Sequence, residues 1–270
     1  MPALTDTFTI AGDVAIPKIG FGTWQIPDGT EAYDSVRAAL DAGYRHIDTA
    51  LAYGNEESVG RAIRDSGIDR DEVFVTTKLP AEIKDADGAR QAFETSQRGL
   101  DLGHVDLYLI HAPWPWTSIG SDHRDGNIAV WKVFEELYST GRTRAIGVSN
   151  FSVGDLESLT AATDVLPHAN QIKWHVGSTE PETTAWCQQR GVLVEGYSPL
   201  ATGGLLDEEA LTRVAERVGR TPAQVAIRYL LERDVLPLPK SVTPSRIAQN
   251  AEVDFELDEQ ALSELDAVRA

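Results

Sequence analysis

Four side chains in this sequence of 270 residues can do acid–base chemistry as a group: Asp48, Tyr53, Lys78 and His111. Asp48 and Lys78 are 30 residues apart, and Lys78 and His111 are 33 apart. Each interval is about one strand-plus-helix unit, so residues at this spacing gather at one end of a parallel sheet. A hydride delivered to a carbonyl carbon leaves an alkoxide that must be protonated. Tyrosine, with a pKa near ~10, is a poor acid at neutral pH unless a cation stabilises its phenolate. Lys78 can be that cation, and Asp48 can hold Lys78 in place and charged. His111 can position the substrate oxygen or share in the proton transfer. Each residue alone has a plainer reading: a buried ion pair for Asp48 and Lys78, loop packing for Tyr53, a core histidine for His111. Their joint placement at strand ends carries the argument. The pattern contains no metal site and no nucleophile paired with a base.

The elements that must position these groups follow from hydrophobic periodicity. Thr7 to Ile10 and Val14 to Pro17 flank Ala11-Gly12-Asp13 and read as an N-terminal β-hairpin. Short apolar runs then alternate with amphipathic ones, which calls for a parallel sheet with crossover helices. Strands are expected at Lys18 to Phe21, His46 to Asp48, Val73 to Thr77, Val105 to Ile110, Arg144 to Val148, His168 to Ile172, Val192 to Glu195 and Val235 to Leu238. A long loop, Ala112 to Gly126, precedes a helix expected from Ile128. The resulting class is α/β, a (β/α)8 TIM barrel forming a single domain over 1–270. An open doubly wound sheet would need a glycine-rich turn opening a helix after the first strand. The segment Gly20-Phe21-Gly22-Thr23-Trp24-Gln25 lacks the third glycine and starts no helix. In a barrel, functional groups sit at the C-terminal strand ends. Those ends supply Asp48, Lys78, His111, Ser149, Asn150, Gln171, Tyr197 and Lys240.

Composition narrows the class of partner. The net charge of −18 disfavours nucleic acid and anionic membranes. No run approaches the ~18 apolar residues of a membrane helix, and Met1 to Ile10 shows no signal-peptide pattern. A cytoplasmic protein acting on a small molecule is therefore expected, and a monomer is the expected state. The single cysteine, Cys187, rules out an internal disulfide and reads as a buried structural residue. Lysine is scarce: Lys18, Lys78, Lys84, Lys132, Lys173 and Lys240 are all there are.

With these residues in hand, a resemblance becomes specific. The run Gly43-Tyr44-Arg45-His46-Ile47-Asp48-Thr49-Ala50, continuing through Tyr53-Gly54-Asn55-Glu56 to Val59-Gly60, resembles the first signature of the aldo-keto reductases. Gly20 to Trp24, Thr77-Lys78-Leu79, Asp106 to His111, Gly147 to Phe151, Asn170-Gln171, Tyr197-Ser198-Pro199-Leu200 and Leu238-Pro239-Lys240-Ser241-Val242 follow in the family's order. The compact loops resemble the bacterial branch that includes 2,5-diketo-gluconate reductases and glyoxal reductases.

The resemblance implies an NADPH-dependent oxidoreductase that reduces small aldehydes, ketones, keto-sugars or α-dicarbonyls, with Tyr53 as general acid. It implies that Ser149, Asn150 and Gln171 hold the nicotinamide carboxamide and that Tyr197 stacks on the ring. Ser198 and Leu200 join the cofactor set. It implies that Lys240, Ser241 and Arg246 hold the adenosine 2′-phosphate, that Asn250 reaches the adenine, and that Val242 belongs to the cofactor set. Trp24 and Trp114 are expected to line the substrate pocket, with Trp116 on the same loop as a further candidate to face it. Two other classes remain open at this point: an aldolase or isomerase using Lys78 as a Schiff-base nucleophile, and a non-catalytic redox-sensing module.

Two positions depart from the family pattern. Pro80 stands where many relatives carry tryptophan two residues after the lysine. The pocket should therefore be wider beside the tetrad, unless the Ala112 to Gly126 loop folds inward. Gln249 stands where many relatives carry glutamate, which puts the adenine contacts in doubt.

Overall fold

The computed structural model describes residues 4–269. The expected span of 1–270 includes residues 1–3 and 270, which lie outside the described residues. A hairpin, β1 (Thr7–Ile10) and β2 (Val14–Pro17), pairs antiparallel. Eight parallel strands follow in sequential order: β3 (Phe21–Gly22), β4 (His46–Asp48), β5 (Phe74–Leu79), β6 (Val105–Ile110), β7 (Thr143–Ser149), β8 (Ala169–Lys173), β9 (Leu193–Tyr197) and β10 (Val235–Leu238). The Gly20 and Gly22 amides donate to the Pro237 and Pro239 carbonyls at 3.1 and 3.0 Å, which ties the first strand to the last. The sheet is thus a nearly closed barrel, as expected. Pro237 and Pro239 have no N–H to return, so this seam is bonded in one direction only. That accounts for a first strand of two residues where four were expected.

Helices α1 (Thr30–Asp41) to α6 (Pro181–Gln189) alternate with the strands: α2 is Glu56–Arg64, α3 Ala86–Leu100, α4 Arg124–Ser139 and α5 Val153–Thr160. Two helices, α7 (Glu209–Val218) and α8 (Pro222–Leu231), separate β9 from β10. The last two, α9 (Pro244–Ala251) and α10 (Glu259–Asp266), end the chain. Thr221 caps α8 through a reciprocal bond with Gln224, and Pro222 occupies its first turn. α4 begins at Arg124, four residues earlier than its apolar periodicity shows, because its first turn, Arg124 to Asn127, carries no apolar side chain.

Two apolar layers hold the barrel. One lies between strands and helices and contains Trp131, Trp174, Tyr108 and Phe134. The other fills the barrel's interior, where Ile10, Val14 and Ile16 of the hairpin pack against Phe74, Leu107, Leu109, Ala145 and Leu236. The hairpin therefore seals the N-terminal end, and polar chemistry is left to the opposite mouth. Cys187 is buried, and burial pushes its thiol up to about 11, in keeping with a structural role. Among the described residues no helix is long and apolar enough to cross a membrane.

α2, which follows the loop carrying Tyr53, is seated by a close backbone approach. A Cβ on Gly60 would lie 1.9 Å from the Leu100 carbonyl oxygen at the end of α3. Backbone cannot swing aside as a side chain can. Gly60→Ala is expected to destabilise the fold by about 3 kcal/mol, at the upper end of overpacking costs. Thermal unfolding measures this, and an unchanged Tm would mean that α2 is free to shift.

Candidate active site

Three successive strand ends and one turn assemble the acid–base group. β4 delivers Asp48, and the tight turn Leu51–Tyr53 brings Tyr53 back over the barrel. β5 delivers Lys78 one residue before its end, and His111 directly follows β6. The Lys78 ammonium is fully buried. It donates to Asp48 Oδ1 and Oδ2 at 2.7 and 2.8 Å, to the Thr49 carbonyl at 2.8 Å, and faces the Tyr53 hydroxyl at 3.4 Å. The rings of Tyr53 and His111 meet edge to face with centroids 5.5 Å apart.

Asn55 carries no signal of its own in the sequence beyond its place between Gly54 and Glu56. Here it is buried, and its amide donates to the Thr23 and Ile26 carbonyls while its oxygen accepts from Thr49 Oγ1 at 2.8 Å. Thr23 in turn bonds the Asp48 carbonyl through both its amide and its hydroxyl. One amide thus braces the first loop against the second, two residues along the chain from Tyr53.

The electrostatics assign roles. Burial pulls the Lys78 pKa down, but Asp48 and the Tyr53 hydroxyl more than offset this and leave it above its ordinary value. A lysine kept charged and fully coordinated is not a free amine, which disfavours the Schiff-base reading. Burial raises the Tyr53 pKa while Lys78 opposes the rise, so the side chain is a phenol holding its proton. His111 is lowered to about 3 by burial and by the Lys78 charge. A neutral imidazole can hold a substrate oxygen by a hydrogen bond, and it is not a cationic acid at neutral pH.

Above this group lies a cavity of about 960 Å³. Asp48, Tyr53, His111, Ser149, Asn150, Gln171 and Tyr197 border it at the barrel's mouth, and Ser198, Leu200, Lys240, Ser241, Arg246 and Asn250 border its extension. Asn150 sits in the left-handed region, with φ 62. Its amide donates to the His111 carbonyl and Ser149 Oγ, both at 3.0 Å, and its oxygen accepts from the Tyr197 hydroxyl at 2.8 Å. Lys78 lies below the surface and reaches the cavity only through Tyr53.

Two expected residues lie elsewhere. Val242 is exposed and borders a separate shallow depression with Glu31 and Pro244, because the chain turns outward there to start α9. Trp24 borders the cavity, but Trp114 does not: it stands edge-on behind Trp116, 5.0 Å away. Trp116 turns to His111 at 5.6 Å and supplies the wall instead. Pro80 is not on the lining either. The loop has folded inward at its base, where Lys84 donates to the Ala112 carbonyl and Asn127 Oδ1, and Asn127 donates to the Pro113 carbonyl.

Comparison with known proteins finds relatives over most of the chain. Residues 18–270 match the model of the aldo/keto reductase family. Glyoxal reductase of Bacillus subtilis (strain 168) is 41% identical over 268 residues, covering 98% of this chain and 94% of that one. Methylglyoxal reductase DkgA of Escherichia coli (strain K12) is 40% identical over 253 residues, covering 93% and 88%. A crystal structure of an aldo/keto reductase from Brucella melitensis superposes with a TM-score of 0.90 at 39% identity, over 96% of this chain and 98% of that one. The chain belongs to the aldo/keto reductase family, and its class is that of an oxidoreductase.

Proposed function

We propose that this protein reduces small aldehydes, ketones, keto-sugars or α-dicarbonyls to alcohols with NADPH, with Tyr53 as the general acid and with the barrel working as one domain and as a monomer. The observation that carries the reading is the buried Lys78 ammonium, clamped by both oxygens of Asp48 and facing the Tyr53 hydroxyl. The names of the B. subtilis and E. coli relatives support glyoxal-sized dicarbonyls as substrates.

The cavity fits a nicotinamide dinucleotide. Its mouth offers the amides of Gln171 and Asn150 and the ring of Tyr197, and its extension offers Lys240 and Arg246. Neither of these two cations has a carboxylate partner within 4.0 Å among the described residues, in a chain of net charge −18. A cofactor held there would supply the hydride. The chain's own residues do the rest. The Tyr53 hydroxyl and neutral His111 hold the carbonyl oxygen, which polarises it. Tyr53 Oη passes its proton to that oxygen, and the Lys78 ammonium stabilises the phenolate left behind. Asp48 keeps Lys78 aimed at Tyr53. Steady-state assays of NADPH oxidation across a carbonyl panel test the reading; no turnover with any member would overturn it.

Cofactor choice has its own test. A helix start and an arginine fork suit a phosphate dianion. Arg246→Ala is expected to weaken NADPH binding by about 1.5–3 kcal/mol, the scale of a hydrogen bond to a charged group, while NADH affinity stays near wild type. Fluorescence titration with both cofactors measures this, and equal losses would refute the 2′-phosphate assignment.

Substrate size has another. With Trp116 walling the site beside His111, Trp116→Ala should open it to bulk. The ratio of kcat/KM for a bulky aldehyde to that for glyoxal is expected to rise about tenfold, as removal of a packing wall allows. An unchanged ratio would mean that the loop does not bound the substrate.

A further inference from the structure

Below the tetrad lies a carboxyl group with no part in the chemistry so far. Glu195, in the middle of β9, is fully buried. It stands opposite Gln171 in the β8–β9 register. Its Oε2 accepts from Gln171 Nε2 at 2.8 Å, and the same nitrogen donates to Asp48 Oδ1 at 2.8 Å. Glu195 Oε1 has no hydrogen-bond partner.

A side-chain amide has one donor end and one acceptor end, and the two look alike in shape. Only the NH₂ end can satisfy two carboxyl oxygens at once. Gln171 bridges Asp48 and Glu195, so both of its N–H bonds are committed downward. Its oxygen alone is left for the cavity. With Asp48 as sole neighbour, one N–H would stay uncommitted and the amide could turn to offer a donor upward.

We infer that Glu195 is a positioning residue that fixes the polarity of the Gln171 amide, so that the site accepts a hydrogen bond from the carboxamide NH₂ of a nicotinamide and does not donate one to its oxygen. The inference rests on the reading of Gln171 as a nicotinamide contact. The carboxamide rotates about its bond to the ring, so a one-way contact at Gln171 selects the rotamer that turns the NH₂ toward it. Glu195 touches neither substrate nor cofactor and acts only through Gln171.

The test uses the NADP⁺ analogue in which the carboxamide is replaced by an acetyl group, which keeps the carbonyl and loses the NH₂. Binding of NADP⁺ and of the analogue is measured by quenching of intrinsic fluorescence, independently of turnover. Wild type should prefer NADP⁺ by about five- to tenfold, the worth of one hydrogen bond. In Glu195→Met the Gln171 amide loses its second acceptor, and the preference should fall below about twofold. Glu195→Asp withdraws the carboxyl by one methylene and should lose preference too. Glu195→Gln, which can turn its own oxygen to Gln171, should keep it. A preference unchanged in Glu195→Met and Glu195→Asp overturns the inference, since a structural role alone would weaken both ligands equally. Preference lost in Glu195→Gln but kept in Glu195→Asp also overturns it, because charge would then be what matters. Gln171→Ala is the separate control. If it leaves NADP⁺ binding unchanged, the assignment of Gln171 itself fails and the inference falls with it.

Discussion

Tyr53→Phe should lower turnover by about 10²–10⁴, the usual worth of a positioned general acid, while NADPH binds with nearly unchanged affinity. The ring stays in its seat, because its edge contact with His111 and its place over the Lys78 ammonium need no hydroxyl. Lys78 also keeps its footing, since the two Asp48 oxygens and the Thr49 carbonyl satisfy its three N–H bonds. What disappears is the most acidic proton that faces a carbonyl oxygen in the cavity. Neutral His111 is a poor substitute, with its pKa lowered to about 3 by burial and by Lys78. Steady-state turnover of glyoxal, paired with NADPH titration of the same preparation, makes the measurement. Near-normal turnover would sink the proposed mechanism. A parallel collapse of cofactor binding would instead mean that the hydroxyl supports the site's shape.

Much of this site was legible in the residues because the chemistry restricts where they can stand. Asp48, Lys78 and His111 are polar residues at or beside the ends of apolar strands, one structural unit apart, and the barrel brings such positions to one mouth. The hairpin and most strands were equally plain, since their apolar runs are bounded by turn residues. Where periodicity failed, the cause was tertiary. The first strand is short because its partner is β10, whose prolines return no bonds. Trp114 and Trp116 are the same residue type two positions apart on one loop, and only the course of that loop decides which ring reaches His111. Its course depends on Lys84 and Asn127, which carry no motif. Glu195 read as the last residue of a strand, where a charge is unremarkable. The strand in fact runs on to Tyr197, which turns Glu195 from an exit residue into a buried one facing Gln171. Pattern reports alternation, and it does not report which of two alternating faces carries a partner from a distant strand.

Removing the cation should cost as much as removing the acid, and it separates two functions of the Asp48–Lys78 pair. Lys78→Met shortens the side chain by only one atom and deletes the charge that stabilises the Tyr53 phenolate. Turnover is expected to fall by about 10²–10⁴, since proton transfer from an unassisted phenol is the step that slows. This variant also leaves the Asp48 carboxylate buried with, among the described residues, only Gln171 to bond it. Breaking one side of a buried pair costs about 3–5 kcal/mol, so the single variant should also unfold at lower temperature. Loss of activity could then be mistaken for loss of fold. Asp48→Asn combined with Lys78→Met resolves this, because it removes the stranded charge along with its partner. The double variant should recover most of the thermal stability, as replacement of both members of a buried pair often does, and recover none of the turnover. If turnover returned together with stability, Lys78 would be a structural brace, and the acidity of Tyr53 would have to come from elsewhere in the cavity. If the single variant stayed fully active, the ammonium would have no part in the proton transfer.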